Sequence, residues 1–325
     1  MISMYVHYMI LKTLALTLFS TAFAFNQQAL DLNKTCGDFE NFYHAYQIDS
    51  FKQYISCAKI DEYDNMINSI GSFSPYKPKI SVLIHKSSGN ASFDYGGNIS
   101  VPASLVFSGK YGSRIFGDIS GIPAIFAHEY GHAIFAEALK DKDFYKSFHK
   151  ISKSISQLRT LLVGEYVEGS SYRRVDYIKS KSKELKEKRK KVLSNSKIRF
   201  ISAYNELFSD VVATYQSNNK SSITNALYHH DVSDKEYMNL LARSLVERDH
   251  SNLSYRSVHT YFAETRAYIG TNFWPSNQEQ KEEYLSIILR AIMLEIDEKF
   301  EKSNEHTAKT LNKGLIERLE GLKPL

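Results

Sequence analysis

The sequence predicts an α+β protein in which a small mixed or antiparallel sheet and one apolar helix precede a mainly α-helical C-terminal half. Three observations predict this class. Convincing strand patterns are confined to residues 79–102. A proline at position 123 opens a run of good helix formers at 124–139. Further along, apolar residues recur at spacings of three, four or seven, as they do on amphipathic helices.

The composition is that of an ordinary globular protein. The chain has 325 residues, of which 43% are hydrophobic and 24% are charged. These values exclude a disordered or collagen-like chain and provide enough material for a large core. The net charge of +5 is too small to indicate nucleic-acid binding by itself, so we expect no nucleic-acid partner.

The N-terminus has the pattern of a secretory signal peptide at residues 1–24. These residues contain no acid and one formal charge, Lys12, which is followed by an apolar run and a small-x-small cleavage site. The alternative is a buried N-terminal helix. No later segment reaches the roughly 18 apolar residues that a membrane helix needs. We therefore expect an exported protein, periplasmic or secreted, that is cleaved near Ala24 and has no transmembrane anchor.

In the oxidising compartment that export implies, Cys36 and Cys57 indicate one disulfide. The alternative is two unrelated buried thiols. A zinc role for the pair is not favoured, because the two residues lack the tight Cys-x-x-Cys spacing of zinc knuckles.

Residues 25–78 are interpreted as an N-terminal helical segment, because aromatic and apolar side chains recur there at helical spacing. Two prolines near position 78 end this pattern. Strands are predicted at 79–85, 91–95 and 98–102, where β-favouring residues lie between turn-rich segments.

Two long apolar stripes, with a polar loop at 164–172 between them, predict a helical-hairpin insert at about 144–200. The second arm is basic, since residues 173–199 contain twelve Lys or Arg and only three acids. Such a run is usually a solvated helix face. The alternative is contact with an anionic partner, such as a lipid headgroup, a cell-wall polymer or an acidic protein substrate.

The predicted helix at 124–139 carries the sequence HEYGH, in which His128 and His132 are four residues apart. Side chains at this spacing lie on one face of a helix, so both imidazoles can reach one zinc ion. Glu129 is rotated off that face and can take a proton from a metal-bound water. The alternative is a solvated helix with two surface histidines, which does not account for the apolar residues on both sides of the motif.

A second motif, NELFSD at 205–210, lies on another apolar helix, predicted at 200–215. Glu206 and Asp210 are also four residues apart and project from one face. One carboxylate can therefore bind zinc while the other accepts the ring N–H of a ligating histidine. Two histidines and one carboxylate leave the fourth position to water, as in catalytic rather than structural zinc sites.

HEYGH followed by NELFSD resembles the paired motifs of the gluzincins, the thermolysin-like clan of zinc metallopeptidases. The resemblance implies that His128, His132 and Glu206 are the ligands of one zinc ion per chain. It makes Glu129 the general base and Asp210 the support of the first motif histidine.

The same resemblance implies a zincin-like catalytic domain over residues 79–325 and a peptide or protein substrate. The substrate would add as a strand to the sheet edge within residues 91–101. Two features depart from the clan. The gap between the motifs is longer than in thermolysin and is filled by the predicted hairpin. The sequence YGGN at Tyr95–Asn98 is not the GxMxN-type motif with which aminopeptidases of the clan bind a free amine. The resemblance therefore favours a secreted endopeptidase.

The residue that stabilises the oxyanion is left open. The clan usually supplies a His, Tyr or Arg downstream, and residues 255–270 contain four candidates: Arg256, His259, Tyr261 and Arg266. His259 resembles the downstream histidine of thermolysin-like enzymes in role and order. It could instead cap a carbonyl or pack against a neighbouring aromatic ring. Arg266 could equally be a buried structural arginine paired with Glu264 or Asp249.

Two other classes of function are compatible with the sequence. The chain could be a catalytically silent zincin-fold binding protein at the cell surface or in the periplasm, although the intact Glu129 argues against this. It could also be a helical structural protein that binds no metal and carries both motifs by coincidence. Zinc content separates the last class from the other two, and a Glu129→Gln variant separates the peptidase from the silent protein.

Overall fold

The computed structural model describes residues 29–48, 55–85, 91–109, 112–118, 121–169, 171–250, 253, 255 and 257–323. The predicted signal peptide with its cleavage site, and Arg256, lie outside these residues. The described chain is a mixed α+β protein with a small sheet and a helical C-terminal half, which confirms the predicted class. None of the described helices is long and apolar enough to cross a membrane.

The described strands are β1 (Ala29–Asp31), β2 (Phe42–Ile48), β3 (Ile80–His85), β4 (Ser92–Phe93), β5 (Asn98–Pro102), β6 (Val106–Ser108) and β7 (Arg114–Phe116). The described helices are α1 (Leu32–Cys36), α2 (Cys57–Gly71), α3 (Gly121–Leu139), α4 (Asp143–Glu168), α5 (Tyr172–Lys190), α6 (Asn195–Ser217), α7 (Ser222–Leu227), α8 (Asp234–Leu241), α9 (Ala263–Asn272), α10 (Gln278–Lys299) and α11 (Ala308–Leu322). A 3-10 turn, Phe300–Lys302, follows α10.

Five strands form one mixed sheet in the order β1-β2-β3-β5-β4. The three inner strands run parallel, while β1 and β4 pair antiparallel at the two edges. Strands β3 and β5 are almost entirely buried, as expected for parallel strands covered on both faces. Strands β6 and β7 form a separate two-stranded ribbon. Because four of the strands lie outside residues 79–102, β structure is more extensive than the sequence pattern predicted.

The predicted helical segment over residues 25–78 is wrong for 29–31 and 42–48, which form β1 and β2. Within the described part of that segment, helix is limited to α1 and α2. The aromatic residues of β2 satisfy a helical spacing, but aromatic residues also favour strands. Pairing with β3 decides the outcome, because it buries Phe42 and Tyr46.

The turn between β4 and β5 lies directly against helix α4. Asp94 Oδ1 accepts hydrogen bonds of 3.0 Å from the N–H groups of Gly96 and Asn98. Gly97 has a left-handed φ of 123°, which glycine adopts without steric cost. A Cβ on Gly96 would lie 2.2 Å from the backbone oxygen of Ser152 in α4. The two glycines therefore allow α4 to contact the edge of the sheet.

Helices α4 and α5 pack against each other and form a hairpin between the two sequence motifs. Their connection is shorter than the predicted loop at 164–172. The reason is that α4 continues to Glu168 and ends at Gly169 in the left-handed conformation. Only two residues of α5 are buried, so most of the basic side chains in this helix are solvated.

A disulfide joins Cys36 at the end of α1 to Cys57 at the start of α2, which confirms the predicted pair. Helix α2 in turn contacts α3, where the rings of Tyr63 and Phe126 stack with their centroids 4.4 Å apart. Disulfides persist in oxidising compartments, so the bond agrees with an exported protein.

Candidate metal centre

The HEYGH motif lies in α3, which is apolar around most of its circumference and buried in the core. His128 and Glu129 are each 6% exposed, and His132 is 8% exposed. One ligand atom from each of these residues lies within 4.8 Å of the other two. The alternative of two surface histidines on a solvated helix is therefore wrong.

Helix α6 brings the second motif against the first. A Cβ on Gly131 would lie 2.7 Å from the Cα of Ser209 in α6, so the glycine within HEYGH permits a close helix–helix contact. At this contact Glu206 Oε2 is 3.4 Å from His128 Nε2, and Glu206 Oε1 is 3.6 Å from His132 Nε2. The structure thus brings the three predicted zinc ligands together.

Each motif histidine has its Nδ1 atom in contact with α6. His128 Nδ1 is 2.9 Å from Asp210 Oδ1, and His132 Nδ1 is 2.8 Å from Ser209 Oγ. A proton on each Nδ1 leaves the lone pair of Nε2 on the side of the Glu206 carboxylate. Asp210 therefore has the predicted position. Ser209 was missed, although it lies in NELFSD, because its contact depends on how the two helices pack.

Two buried arginines oppose the charge of Asp210. Arg243 Nη2 lies 2.7 Å from Asp210 Oδ1, and Arg266 Nη2 lies 2.8 Å from Asp210 Oδ2. Arg266 is fully buried and so matches the structural alternative, with Asp210 as its ion-pair partner. Arg243, which sequence reasoning missed, also lies 3.3 Å from Glu206 Oε2 and 3.1 Å from His128 Nε2. It follows the short helix α8, and no local pattern in the sequence marks it.

Burial and mutual contact shift the pKa values of this cluster. Burial is the largest effect on Glu129 and raises its pKa to about 7. Burial also lowers the pKa of His132 to about 4. Burial and the charge of Arg243 lower the pKa of His128 as well, but its hydrogen bonds to Asp210 and Glu206 outweigh them and raise that pKa to about 9. For Glu206 the effect of burial is outweighed by His132 and His128, which hold its pKa well below the usual value.

His259 is part of the site, and the other described oxyanion candidates are not. Its Nδ1 lies 2.8 Å from Glu206 Oε2, so the ring contacts a predicted metal ligand. Tyr261 instead packs against the hydrophobic core. Arg266 is too deeply buried to reach a substrate, and Arg256 lies outside the described residues.

A cleft of about 350 Å³ opens over this cluster, with the edge strand β4 as one wall. Its remaining lining includes Ile125, Ile223, Leu227, Arg243 and His259. In the β4–β5 ladder Phe93 lies opposite Ile99. The N–H of the next residue, Asp94, donates to the backbone oxygen of Asn98 at 3.1 Å. In an antiparallel ladder this alternation turns the N–H of Phe93 away from β5. That N–H faces the carboxylate of Glu129 and lowers the pKa of that group.

Comparisons of the chain with protein-family models, with curated proteins and with solved structures gave no match. The resemblance to the gluzincins therefore remains one of motifs. What the protein does has to be argued from the site itself.

The donor set is one that can hold a metal ion. Two imidazole Nε2 atoms and one carboxylate face each other, and this combination of ligands is typical of catalytic zinc sites. Both imidazoles have a hydrogen-bonding partner at the other ring nitrogen, the arrangement that orients histidine ligands in metalloproteins. A fourth side chain, Glu129, lies beside these donors and lines the cleft.

Proposed function

We propose that the chain is a zinc-dependent metallopeptidase that hydrolyses peptide bonds. The observation that carries the proposal is the position of Glu129, a buried carboxylate with a ligand atom within 4.8 Å of those of His128 and His132. It lies in a cleft that Glu206 and a sheet edge also line. Structural zinc sites are closed by four protein ligands, whereas catalytic sites have three and keep one position open. A carboxylate beside such a position is a group that can act on water.

His128, His132 and Glu206 would hold one metal ion per chain, with Asp210 and Ser209 orienting the two imidazoles. A zinc ion bound there supplies a Lewis acid that polarises a carbonyl oxygen and lowers the pKa of a bound water to about 7.

Glu129 has the properties of the general base. Burial raises the pKa of its carboxyl to about 7, and general acid–base catalysis is most efficient when the pKa of the group lies near the working pH. Glu129 can accept a proton from the attacking water and later give it to the amine that leaves.

Arg243 and His259 are the groups that can stabilise negative charge on the substrate carbonyl oxygen. Both line the cleft, and both contact Glu206 Oε2. The guanidinium of Arg243 is permanently charged. His259, with Nδ1 on the carboxylate of Glu206, can donate from Nε2 only when its ring is protonated. We therefore retain His259 as a catalytic candidate and add Arg243.

The edge strand β4 supports an endopeptidase. An extended peptide can pair with an exposed strand edge through backbone hydrogen bonds, which give affinity without sequence selectivity. Pairing of this kind accepts the middle of a chain. The turn that follows β4 carries the sequence YGGN and not the GxMxN-type motif with which aminopeptidases of the clan bind a free amine. A site built around the substrate's free amine is therefore not the arrangement that we propose.

The test compares metal content and peptide cleavage in the same preparations of wild type and variants. We expect about one zinc per wild-type chain by elemental mass spectrometry and weaker zinc binding in Glu206→Ala. Glu129→Gln should retain zinc and cleave a peptide library about 10²–10⁴-fold more slowly. Glu137→Gln is the matched control, because Glu137 lies on the same helix, pairs with Lys140 and is not part of the site. It should retain both zinc and activity.

Each contrary result has a distinct meaning. If wild type and Glu129→Gln cleave equally well, the peptidase proposal is rejected. If wild type binds zinc but cleaves no peptide, the silent binding protein is favoured. If wild type binds no zinc even after refolding with the metal, the metal centre itself is rejected.

A further inference from the structure

A second cavity, of about 430 Å³, lies between the two hairpin helices and the β4–β5 turn. We call it the hairpin pocket. Apolar side chains from both helices line it, including Ile155 and Leu158 from α4 and Ile178 from α5. Phe93 and Tyr95 line both the hairpin pocket and the cleft over the metal centre. The two cavities are therefore neighbours along the same strand edge.

Three cationic side chains, Arg159, Lys186 and Arg189, also line the hairpin pocket. Arg159 Nη2 donates to Ser100 Oγ at 2.7 Å, and Arg189 Nη1 donates to the backbone oxygen of Asp94 at 3.4 Å. Among the ion pairs within 4.0 Å in the described part of the chain, none involves any of these three cations. Within the described chain, no carboxylate therefore contacts and neutralises these charges.

Asp94 is the acidic side chain in the lining, so its single negative charge opposes three positive ones. Its Oδ1 atom accepts from the amides of its own turn, and its Oδ2 atom is buried without a hydrogen-bonding partner among the described residues. The pocket thus has an excess of positive charge over apolar walls. A purely apolar ligand would remove water from these cations without giving them a partner, which is unfavourable. A carboxylate on a short aliphatic stem satisfies both features, because its stem can contact the apolar walls while its head pairs with the cations.

The position of Phe93 connects this pocket to the proposed chemistry. Phe93 lines the cleft together with Glu129, and it also lines the hairpin pocket. A peptide that lies along β4 advances about 3.3 Å per residue. A substrate side chain that enters the hairpin pocket would therefore belong to a residue within about three positions of the cleaved bond.

We propose that the hairpin pocket is a specificity site that takes an acidic side chain, with glutamate the best fit, from the peptide substrate. The proposal rests on the proposed peptidase function and extends it to a class of substrate. It also gives the long insert between the two motifs a role, since α4 and α5 supply all three cations.

The test uses fluorogenic peptides that differ only in carrying Glu or Gln at each of three positions on either side of the cleaved bond. Cleavage of each peptide is measured with three zinc-loaded proteins, which are the wild type, Lys186→Glu and Lys188→Glu. Lys188 is an exposed residue of the same helix and does not line the pocket, so its variant reproduces the charge change elsewhere. Binding of the same peptides to Glu129→Gln, measured by fluorescence anisotropy, provides a readout that does not need turnover.

At one position, we expect the ratio of kcat/KM for the Glu peptide to that for the Gln peptide to be about ten. This is the size of effect expected when a hydrogen bond between charged groups is partly enclosed. Lys186→Glu should abolish this ratio, Lys188→Glu should retain it, and the anisotropy titrations should show the same preference. Cleavage without a Glu preference at any position overturns the pocket assignment and leaves the peptidase intact. Equal losses in both lysine variants also overturn it, because they indicate a general effect of the basic helix. If no peptide is cleaved, the proposed peptidase function is rejected. The binding titrations then test the pocket on their own, because equal binding of the Glu and Gln peptides rejects the proposed specificity site.

Discussion

Replacing Asp210 by asparagine tests the buried charge cluster behind the metal centre. The carboxylate is fully buried and is held between Arg243 and Arg266 at 2.7 and 2.8 Å. The substitution keeps the shape of the side chain but removes its charge, so Arg266 loses its contacting anion at 2.8 Å and Arg243 keeps only the longer contact with Glu206 at 3.3 Å among the described ion pairs. Removing one partner of a buried ion pair costs about 3–5 kcal/mol, because an uncompensated charge remains in the interior.

The control is the same substitution at Asp297, which pairs with Lys142 at 2.5 Å on the surface. Side chains of that pair are 43% and 35% exposed, and exposed pairs contribute about 0–1 kcal/mol. The assay is urea unfolding of the metal-free protein with its disulfide intact, followed by circular dichroism. If Asp210→Asn costs no more than Asp297→Asn, the reasoning about the buried cluster is wrong.

The pH dependence of the stability lost in Asp210→Asn provides a second check. Burial raises the pKa of Asp210, but the charges of Arg243 and Arg266 outweigh burial and hold it below the usual range. A carboxyl whose pKa is lowered by folding stabilises the protein above its unfolded pKa of about 3.9 and loses that contribution as the pH falls through the folded value. The gap between wild type and Asp210→Asn should therefore shrink as the pH falls below the unfolded pKa of an aspartate. It should also decrease as the pH rises above about 6.5, because Asp210 helps to raise the pKa of His128 to about 9 and that contribution is lost as the ring deprotonates. A gap that widens as the pH falls below the unfolded pKa of an aspartate would contradict this sign.

Three further predictions concern two contacts at the site and the disulfide. Gly131→Ala should destabilise the protein by about 1–3 kcal/mol, because it overpacks the α3–α6 contact, and it should weaken zinc binding. The control is Gly164→Ala, where the nearest atom is 3.7 Å from the added Cβ, and it should be neutral or stabilise α4 by about 0.5–1 kcal/mol. Thermal unfolding measures the stability of both variants, and a zinc titration measures their metal affinity. Ser209→Ala removes the hydrogen-bonding partner of the second motif histidine and should weaken zinc affinity about 10–100-fold with little change in the unfolding midpoint. An unchanged affinity would contradict that orienting role. The paired Cys36→Ser and Cys57→Ser variant should lose about 2–4 kcal/mol, and added reductant should produce the same loss in wild type but none in the variant.

The parts of the site that the sequence predicted are those fixed by helix geometry. Residues four apart on a helix lie on one face, and that rule is sufficient to pair His128 with His132 and Glu206 with Asp210. The predicted disulfide follows from having two cysteines in a chain expected to be exported. Each of these inferences uses only spacing or composition, so it holds whatever the packing of the rest of the chain.

The N-terminal strands show where local pattern fails. The aromatic residues of β2 are compatible with a helix or a strand, and the choice depends on a parallel partner, β3, that lies more than thirty residues away. Single-residue propensities differ by less than the free energy gained when a strand is buried in a sheet. The tertiary environment therefore overrides the local signal.

Arg243 and the hairpin pocket were decided by tertiary structure alone. Arg243 approaches Asp210 and Glu206 from a turn that follows α8, and its position depends on how several helices pack rather than on any spacing in the sequence. The basic run in the hairpin was visible, but which of its side chains face β4 depends on where Gly96 allows α4 to lie. The sequence by itself determined which residues share a helix face. The tertiary structure decided which faces meet, because contacts between distant segments are selected by the burial of the whole core and not by the order of neighbouring residues.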